Sequence, residues 1–275
     1  VNINKAIHYF TLSANNNNAK ALMYLFIIYT EGKHISRNVN KANHYLELAA
    51  NQNFSEAQLC LGFKYYYGFG ISRDIKKGVY YIILASTNEN RMANYVHGFL
   101  LHKGKYVKRN IEEAVHYYKM ASSFRIQFAK NNLGIIYRYG NENIKKNTGY
   151  AIELFKEAIY QKNDFLAMYN LAHLYLFDSE IKEDINKSID LLAKSSHKFE
   201  FSNHLLILAL IKKNGLNKEV IKNEARNLIK IPDKVNCYID QFVSFLKYET
   251  TYKKVYELYK KKVFLYNIRL LPVLL

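Results

Sequence analysis

The feature that most constrains the fold of this chain is an internal repeat. Five anchoring alanines mark it, the first four separated by 36 residues each and the last pair by 38: Ala21, Ala57, Ala93, Ala129 and Ala167. Other residues recur at fixed distances from these alanines. Self-similarity at this length indicates stacked copies of one supersecondary unit, each of which buries its apolar face against the next copy.

Each copy begins with the pattern of a helix. Most copies carry leucine four residues after the anchoring alanine and tyrosine eight residues after it, as in Leu61 and Tyr65. These positions lie within ~80° of the anchor on a helix, so together they form one buried stripe. Glycine comes eleven residues after the anchor and tolerates the left-handed conformation that often ends a helix. Residues at this position are Gly32, Gly68, Gly104, Gly140 and, in the fifth copy, Asp178.

A second helix follows in each copy. An asparagine or aspartate precedes it and is suited to accept hydrogen bonds from the unpaired N–H groups of the first turn. We assign this N-cap to Asn38, Asp74, Asn110, Asn147 and Asn186.

Glycine also recurs inside the first helix, five residues after the anchor, at Gly62, Gly98 and Gly134. Glycine inside a helix costs ~1 kcal/mol relative to alanine, so its recurrence needs a compensating reason. We predict that a neighbouring helix packs close to the backbone at these three positions.

These residues resemble the Sel1-like repeat, a relative of the tetratricopeptide repeat with a longer loop between its helices. The shared pattern is Ala-x3-Leu-Gly-x2-Tyr-x2-Gly-x-Gly followed by Asp-x2-Lys-Ala-x2-Tyr-x3-Ala. Its most complete copy is AQLCLGFKYYYGFGISRDIKKGVYYIILAS at 57–86, which departs mainly where Gly78 replaces alanine. The resemblance implies an all-α fold, a right-handed α-α superhelix (solenoid) of helix-turn-helix repeats. We place a half repeat at 1–18 and repeats near 19–56, 57–92, 93–128, 129–166 and 167–203.

Residues 204–275 keep a helical pattern but follow the repeat poorly. The end of a solenoid needs an element with a polar outer face. We therefore predict a degenerate repeat and a helical C-terminal cap over 204–275, with a separate binding helix as the alternative.

Motifs for catalysis are weak in this sequence. The Gly-x-Gly of 68–70, followed by Arg73, has the form of a phosphate-binding loop, but other copies replace it with GKH, GKY and GNE. Ser195 and Lys198 form a Ser-x-x-Lys pattern without the Lys-Thr-Gly that accompanies it in penicillin-recognising enzymes. Both patterns are better explained by the repeat, so we expect no enzyme activity and no cofactor.

The histidines do not predict a metal site. His8, His44 and His116 share one repeat position, but successive helix pairs are roughly 20 Å apart, too far for the rings to share an ion. His97 replaces the buried leucine of its copy, and we predict that it is a hydrogen-bonded core residue.

The chain is strongly basic, with a net charge of +17. Two explanations stay open: codon usage that enriches Lys, Asn, Ile and Tyr, and a basic surface for acidic partners. Basic patches with aromatic residues, such as HKGKYVKR at 102–109 and YKKVYELYKKK at 252–262, also occur in proteins that bind single-stranded nucleic acids. Because several of the 25 tyrosines belong to the buried stripe, RNA binding is the alternative to protein binding.

The cysteines and the targeting signals indicate the cellular compartment of the protein. Cys60 and Cys237 form no disulfide framework and no Cys-x-x-Cys pair, which favours a reducing compartment such as the cytoplasm. We expect no signal peptide and no membrane span, since no run reaches the ~18 apolar residues that a span requires. A role in the endoplasmic reticulum lumen would require a lost signal peptide and use of the sequons at Asn53 and Asn186.

The repeat architecture gives the functional prediction. Solenoids expose a long concave surface for a partner protein or peptide, and a basic chain favours an acidic one. Positions two and nine after the anchoring alanine project away from the buried stripe and hold residues of the kind enriched in interface hot spots. The predicted partner-binding residues are Tyr66, Tyr95, His102, Asn131, Arg138 and Tyr169. The family resemblance implies an adaptor role, for example in ER-associated degradation or in signalling.

Overall fold

The computed structural model describes residues 2–33, 35–123, 126–196, 198, 200–215 and 217–228. Helices dominate these ranges. They are α1 (Ile3–Asn15), α2 (Ala19–Glu31), α3 (Val39–Asn51), α4 (Ser55–Tyr67), α5 (Ile75–Thr87), α6 (Arg91–Lys103), α7 (Ile111–Ser123), α8 (Gln127–Tyr139), α9 (Thr148–Lys162), α10 (Phe165–Phe177), α11 (Ile185–Ser195), α12 (Glu200–Asn214) and α13 (Lys218–Leu228).

Consecutive helices pack as pairs, and the pairs follow the repeat. The first helix of each repeat packs against the second helix of the same repeat, as α4 does against α5 and α6 against α7. The all-α solenoid predicted from the sequence is thereby confirmed. Contacts divide the chain into two compact units, Val1–Ala129 and Lys130–Leu275.

The first unit buries the predicted stripe. Ala57 and Leu61 of α4 are fully inaccessible, as are Leu25 of α2 and Ala93 of α6. His97 stands where leucine is usual and is also buried. Its Nδ1 lies 3.2 Å from the Ser86 hydroxyl, and its ring packs 4.2 Å from that of Tyr117. The prediction of a hydrogen-bonded core histidine is therefore confirmed, and burial lowers the pKa of this imidazole.

Glycines set the closest helix contact of the first unit. A Cβ atom on Gly78 would lie 2.8 Å from the backbone nitrogen of Tyr66 and 2.9 Å from the carbonyl oxygen of Gly62. A Cβ atom on Gly62 would lie 2.8 Å from a side-chain carbon of Ile82. No side chain fits between α4 and α5 at this point, which explains why Gly78 departs from the alanine of the other copies.

The predicted helix ends are mostly confirmed. Gly32, Gly68 and Gly104 follow α2, α4 and α6 with φ of 64°, 80° and 66°. Asn38 and Asp74 accept hydrogen bonds from the third residue of α3 and α5, as N-caps do.

One N-cap prediction is wrong. Asn186 is the second residue of α11, whereas Asp184 caps that helix by accepting from the backbone nitrogen of Lys187 at 3.0 Å. Asp184 lies four residues before Ser188, the same spacing that separates Asn38 from Ala42. The cap therefore follows the phase of the repeat, and Asn186 lies two residues too late.

The second unit packs the later repeats. Phe155 of α9 is fully buried with Ala167, Leu171 and Leu174 of α10. A Cβ atom on Gly134 of α8 would meet the Phe155 ring at 2.6 Å, so the predicted close contact recurs here against a side chain.

The C-terminal helices continue this unit. Every residue of α12 from Leu205 to Ile211 is buried, and α13 covers the helix with Ile221 and Ala225. The expected boundary at 203/204 falls inside α12, which begins at Glu200. The rest of the predicted cap, with Pro232, Cys237 and the basic patch at 252–262, lies outside the described residues. In the part of the chain that the structure describes, no helix has the length and apolar character needed to cross a bilayer.

Candidate functional site

Tyr66 lies on the last turn of α4 and is half-buried. Its ring packs against the cluster that contains Val79 and Val96, and it meets the Tyr106 ring edge-on at 5.7 Å. Desolvation, which is the larger cause, and the neighbouring Tyr106 raise the pKa of Tyr66 to about 12. Tyr66 is therefore a neutral, oriented phenol at any physiological pH.

Tyr95 and His102 lie on α6 and are also half-buried. The Tyr95 ring packs 6.0 Å from Tyr118 and 6.1 Å from Phe128. His102 Nδ1 lies 3.4 Å from the Tyr118 hydroxyl. Burial, with Lys103 and Arg109 adding repulsion, lowers the pKa of His102 to about 4, so the imidazole is neutral near pH 7.

The three predicted residues of the second unit are engaged with neighbouring helices. Asn131 is 4% exposed and accepts a hydrogen bond from the Asn170 side chain at 2.9 Å. Arg138 is 8% exposed, and a guanidinium nitrogen lies 2.6 Å from Nδ1 of His173. Asn131 and Arg138 thus face the next repeat and offer little surface to a partner.

Tyr169, the last predicted residue, is half-buried on α10. Its ring centroid lies 6.5 Å from that of His173, the residue that Arg138 contacts. The structure therefore brings Arg138 and Tyr169 to one polar and aromatic cluster of the second unit.

The serine and histidines that the sequence motifs singled out contact neighbouring residues of the fold. The Ser195 hydroxyl is fully buried and bonded to the Ser202 hydroxyl at 2.6 Å and to the carbonyl of Leu191 at 3.0 Å. His8, His44 and His116 are exposed, and each packs against the tyrosine that follows it. Among the described residues no group of His, Cys, Asp and Glu side chains is arranged to hold a metal ion.

Lysines also pack on the tyrosines of the first helices. The Nζ atom of Lys41 lies 5.5 Å from the ring centroid of Tyr29, and that of Lys77 lies 5.4 Å from Tyr65. These cation–π contacts use the same two repeat positions in successive copies. Part of the basic character of the chain is therefore structural.

Sequence reasoning missed two aromatic residues beside Tyr66. Phe69 lies in the turn after α4, and Tyr106 lies in the turn after α6, at the repeat position that Gly70 occupies one copy earlier. Both are exposed. The signal that could have found Tyr106 is the replacement of a turn glycine by an aromatic residue in GKY.

Family comparison matches the Sel1 repeat to six segments: 1–18, 19–54, 55–90, 91–123, 127–163 and 166–198. Together these segments cover more than half of the chain. No curated protein matches the sequence.

Solved structures with the same fold include two bacterial proteins. A Sel1 repeat protein from Oxalobacter formigenes aligns with a TM-score of 0.62 and 23% identity, over 77% of this chain and 88% of that chain. The second is c5321, a protective antigen present in uropathogenic Escherichia coli strains and displaying an SLR fold. It aligns with a TM-score of 0.57 and 15% identity over 93% of this chain, which spans 63% of that chain. At these identities the likeness is one of fold.

Proposed function

The chain belongs to the Sel1 repeat family, and we propose that it is a non-catalytic scaffold that binds a partner protein or peptide along the first helices of its first unit. We call Tyr66, Tyr95 and His102 the first-helix row. The three side chains come from α4 and α6 and occupy positions two and nine of their repeats.

The observation that carries this proposal is the incomplete burial of the first-helix row. Each side chain is anchored by an aromatic neighbour on one side and reaches solvent on the other. Aromatic groups that are held in place in this way lose little conformational freedom on binding, which is why they are enriched at interface hot spots. The corresponding Asn131 and Arg138 of the second unit are buried, so the proposal centres on the first unit.

The test is affinity purification with quantitative mass spectrometry from the native cell. The bait is the full chain, unchanged or carrying Tyr66→Ala, Tyr95→Ala and His102→Ala together. A matched control carries Tyr9→Ala, Tyr80→Ala and His116→Ala, three residues of the same types that are exposed on second helices. We expect at least one partner that the unchanged chain and the control both retain and that the first-helix row variant loses.

A second variant guards against loss of folding. Tyr66→Leu, Tyr95→Leu and His102→Asn keep the apolar packing near Val79 and Val96 while removing the phenols and the imidazole. Equal recovery of every partner by this variant and by the unchanged chain would overturn the proposal. Binding of poly-uridine RNA that persists at moderate salt and drops in both row variants would instead support the nucleic-acid alternative.

A further inference from the structure

An aromatic cluster lies at the loop edge of the first unit. We call it the loop-edge patch, and it consists of Tyr66, Tyr67, Phe69 and Tyr106. The ring centroids of Tyr66 and Tyr67 are 5.0 Å apart, and those of Tyr67 and Phe69 are 5.2 Å apart. Phe69 is 62% exposed and Tyr106 is 47% exposed. A contiguous exposed aromatic patch of this kind is typical of an interaction site.

The backbone holds Phe69 in its exposed position. The backbone nitrogens of Gly68 and Phe69 both donate to the carbonyl of Lys64, at 2.8 and 3.1 Å. The Asn43 side chain of the preceding repeat donates to the carbonyl of Gly70 at 2.7 Å. Since the turn is fixed on both sides of Phe69, its ring is presented in an ordered turn before any partner arrives.

Tyr106 has a strained backbone. Its φ is 69°, close to the 70° of Gly70 at the same position of the preceding repeat. Glycine adopts this left-handed conformation freely, whereas a residue with a side chain loses roughly 1–2 kcal/mol. Strain of this kind is often retained where the side chain serves a function. At this position the side chain completes the loop-edge patch through its contact with Tyr66.

The polar groups of the loop-edge patch call for an acidic partner. Arg73 and Lys105 are exposed, and no carboxylate of the described residues forms an ion pair with either. Lys105 Nζ lies 5.2 Å from the Tyr106 centroid, and Arg73 Nε donates to the Tyr66 carbonyl at 3.1 Å. Carboxylates of a partner would pair with both cations.

The arrangement of the rings favours a peptide over a nucleic acid. Bases stack on the open faces of aromatic rings. Here Tyr66 meets Tyr67 at an interplanar angle of 71° and Tyr106 at 85°, so these rings do not form a stack of parallel faces that bases could extend. Tyr67 and Phe69 stack on each other at 25°, which covers one face of each ring. The exposed part of the loop-edge patch is an uneven apolar surface that fits an apolar side chain of a peptide.

We propose that the loop-edge patch binds an acidic peptide segment of the partner, with an aromatic or aliphatic side chain against Phe69 and Tyr106 and carboxylates on Arg73 and Lys105. The inference rests on the proposed scaffold function and specifies the chemistry of the partner. It also explains why a turn glycine is replaced by tyrosine in GKY.

The experiment uses a random peptide library displayed on phage and selected on the full chain. We expect the selected peptides to combine acidic residues with an aromatic or large aliphatic anchor. Synthetic copies are then measured by fluorescence anisotropy against the unchanged chain and against Tyr106→Gly, Phe69→Ser and Lys105→Glu. Loss of a hot-spot contact corresponds to a fall in affinity of about tenfold to thirtyfold, which we expect for each change.

Two features of the design separate binding from folding. Tyr106→Gly relieves the strained backbone, so we expect its melting temperature to stay close to that of the unchanged chain. Tyr80→Ala and Lys119→Glu are matched controls, since both residues are exposed on second helices, α5 and α7, and neither belongs to the loop-edge patch. We expect both controls to retain full affinity.

Other outcomes would overturn the inference in distinguishable ways. If the selected peptides bind equally well to the patch variants, the loop-edge patch is not their binding site. The proposed scaffold function is unaffected by that result. Selection of peptides without acidic residues would contradict the stated partner chemistry. So would poly-uridine RNA that displaces the selected peptides from the unchanged chain at moderate salt. Failure to select any peptide would contradict the inference, while the purification experiment with the first-helix row variants would decide the proposed function separately.

Discussion

The two units use the same repeat positions for opposite purposes. Position nine holds Tyr66 in the first unit, where the ring is half-buried at the surface, and Arg138 in the second, where the guanidinium is buried against His173. Position two holds Tyr95, which reaches solvent, and Asn131, which is buried. The repeat thus fixes the direction of a side chain, while the residue and the partner that the next repeat supplies together decide whether it is buried or remains available.

Ion pairs show the same contrast among the described residues. In the first unit Lys33 pairs with Glu31, and other cations such as Arg73 and Lys105 are exposed. The second unit has several. They include Lys130–Glu157, Lys146–Glu180, Lys187–Asp184, Lys194–Asp190, Lys212–Glu183 and Lys213–Glu224. Several cations of the second unit are therefore paired within the unit, whereas Arg73 and Lys105 of the first unit are exposed and open to an acidic partner.

The largest expected effect concerns the glycine contact of the first unit. Gly78→Ala places a methyl group against the backbone of α4, which cannot yield locally, and we expect a loss of about 3 kcal/mol of stability. Gly149→Ala in the second unit meets only Asn147 Oδ1, at 3.6 Å, so we expect it to stabilise helix α9 by up to about 1 kcal/mol. Urea denaturation measures both. Similar effects of the two changes would contradict the close α4–α5 contact.

A smaller effect distinguishes the two residues at position nine. Arg138→Ala removes a buried guanidinium that bonds to the half-buried His173 ring, and we expect a loss of about 2 kcal/mol. Tyr66→Phe removes only a half-exposed hydroxyl, for which we expect about 0.5–1 kcal/mol. Chemical denaturation of each variant tests the difference. If Tyr66→Phe proved the more destabilising change, the division between a structural and an available position would be wrong.

The helix cap of α11 gives an effect of intermediate size. Asp184→Ala removes the acceptor for the backbone nitrogen of Lys187, and we expect a loss of about 1 kcal/mol. Asn186→Ala, inside the helix, is the matched control and is expected to be neutral. The melting temperatures of the two variants test which residue caps α11. A larger decrease for Asn186→Ala would support Asn186 as the N-cap.

The smallest effect is a pH dependence within the first-helix row. The folded pKa of His102, about 4, lies below the unfolded value near 6.5, so the unfolded chain binds the proton first. Its contribution to stability is therefore present above pH 6.5 and is lost as the pH falls toward 4. We expect His102→Asn to flatten the stability profile in this window relative to the unchanged chain. Identical profiles for this variant and the unchanged chain would contradict the burial of His102.

Much of the fold could be predicted because the same residue types recur at the same positions of several repeats, where they meet the same structural requirement. The stripe of Ala57 and Leu61, the turn glycine Gly68 and the close approach at Gly62 all follow from recurrence at one phase. The cap prediction at Asn186 is wrong because the phase of the repeat selects Asp184. Asn186 lies two residues later, inside α11.

The candidate site was less predictable because exposure depends on what the next repeat supplies. Positions two and nine project away from the stripe in every copy, yet Asn170 and His173 bury Asn131 and Arg138. The replaced turn glycine in GKY is a sequence signal for Tyr106, but its left-handed backbone and its contact with Tyr66 are seen only in the structure. Contacts between successive copies are not encoded by the period itself.

The most direct test of the partner-binding face is site-specific photocrosslinking in the native cell. A benzophenone amino acid replaces Tyr66 in the first-helix row or, as a control, Tyr80 on the exposed face of α5. The account predicts a discrete crosslinked protein from position 66 and none from position 80. The same protein crosslinked equally from both positions, or from position 80 alone, would contradict it.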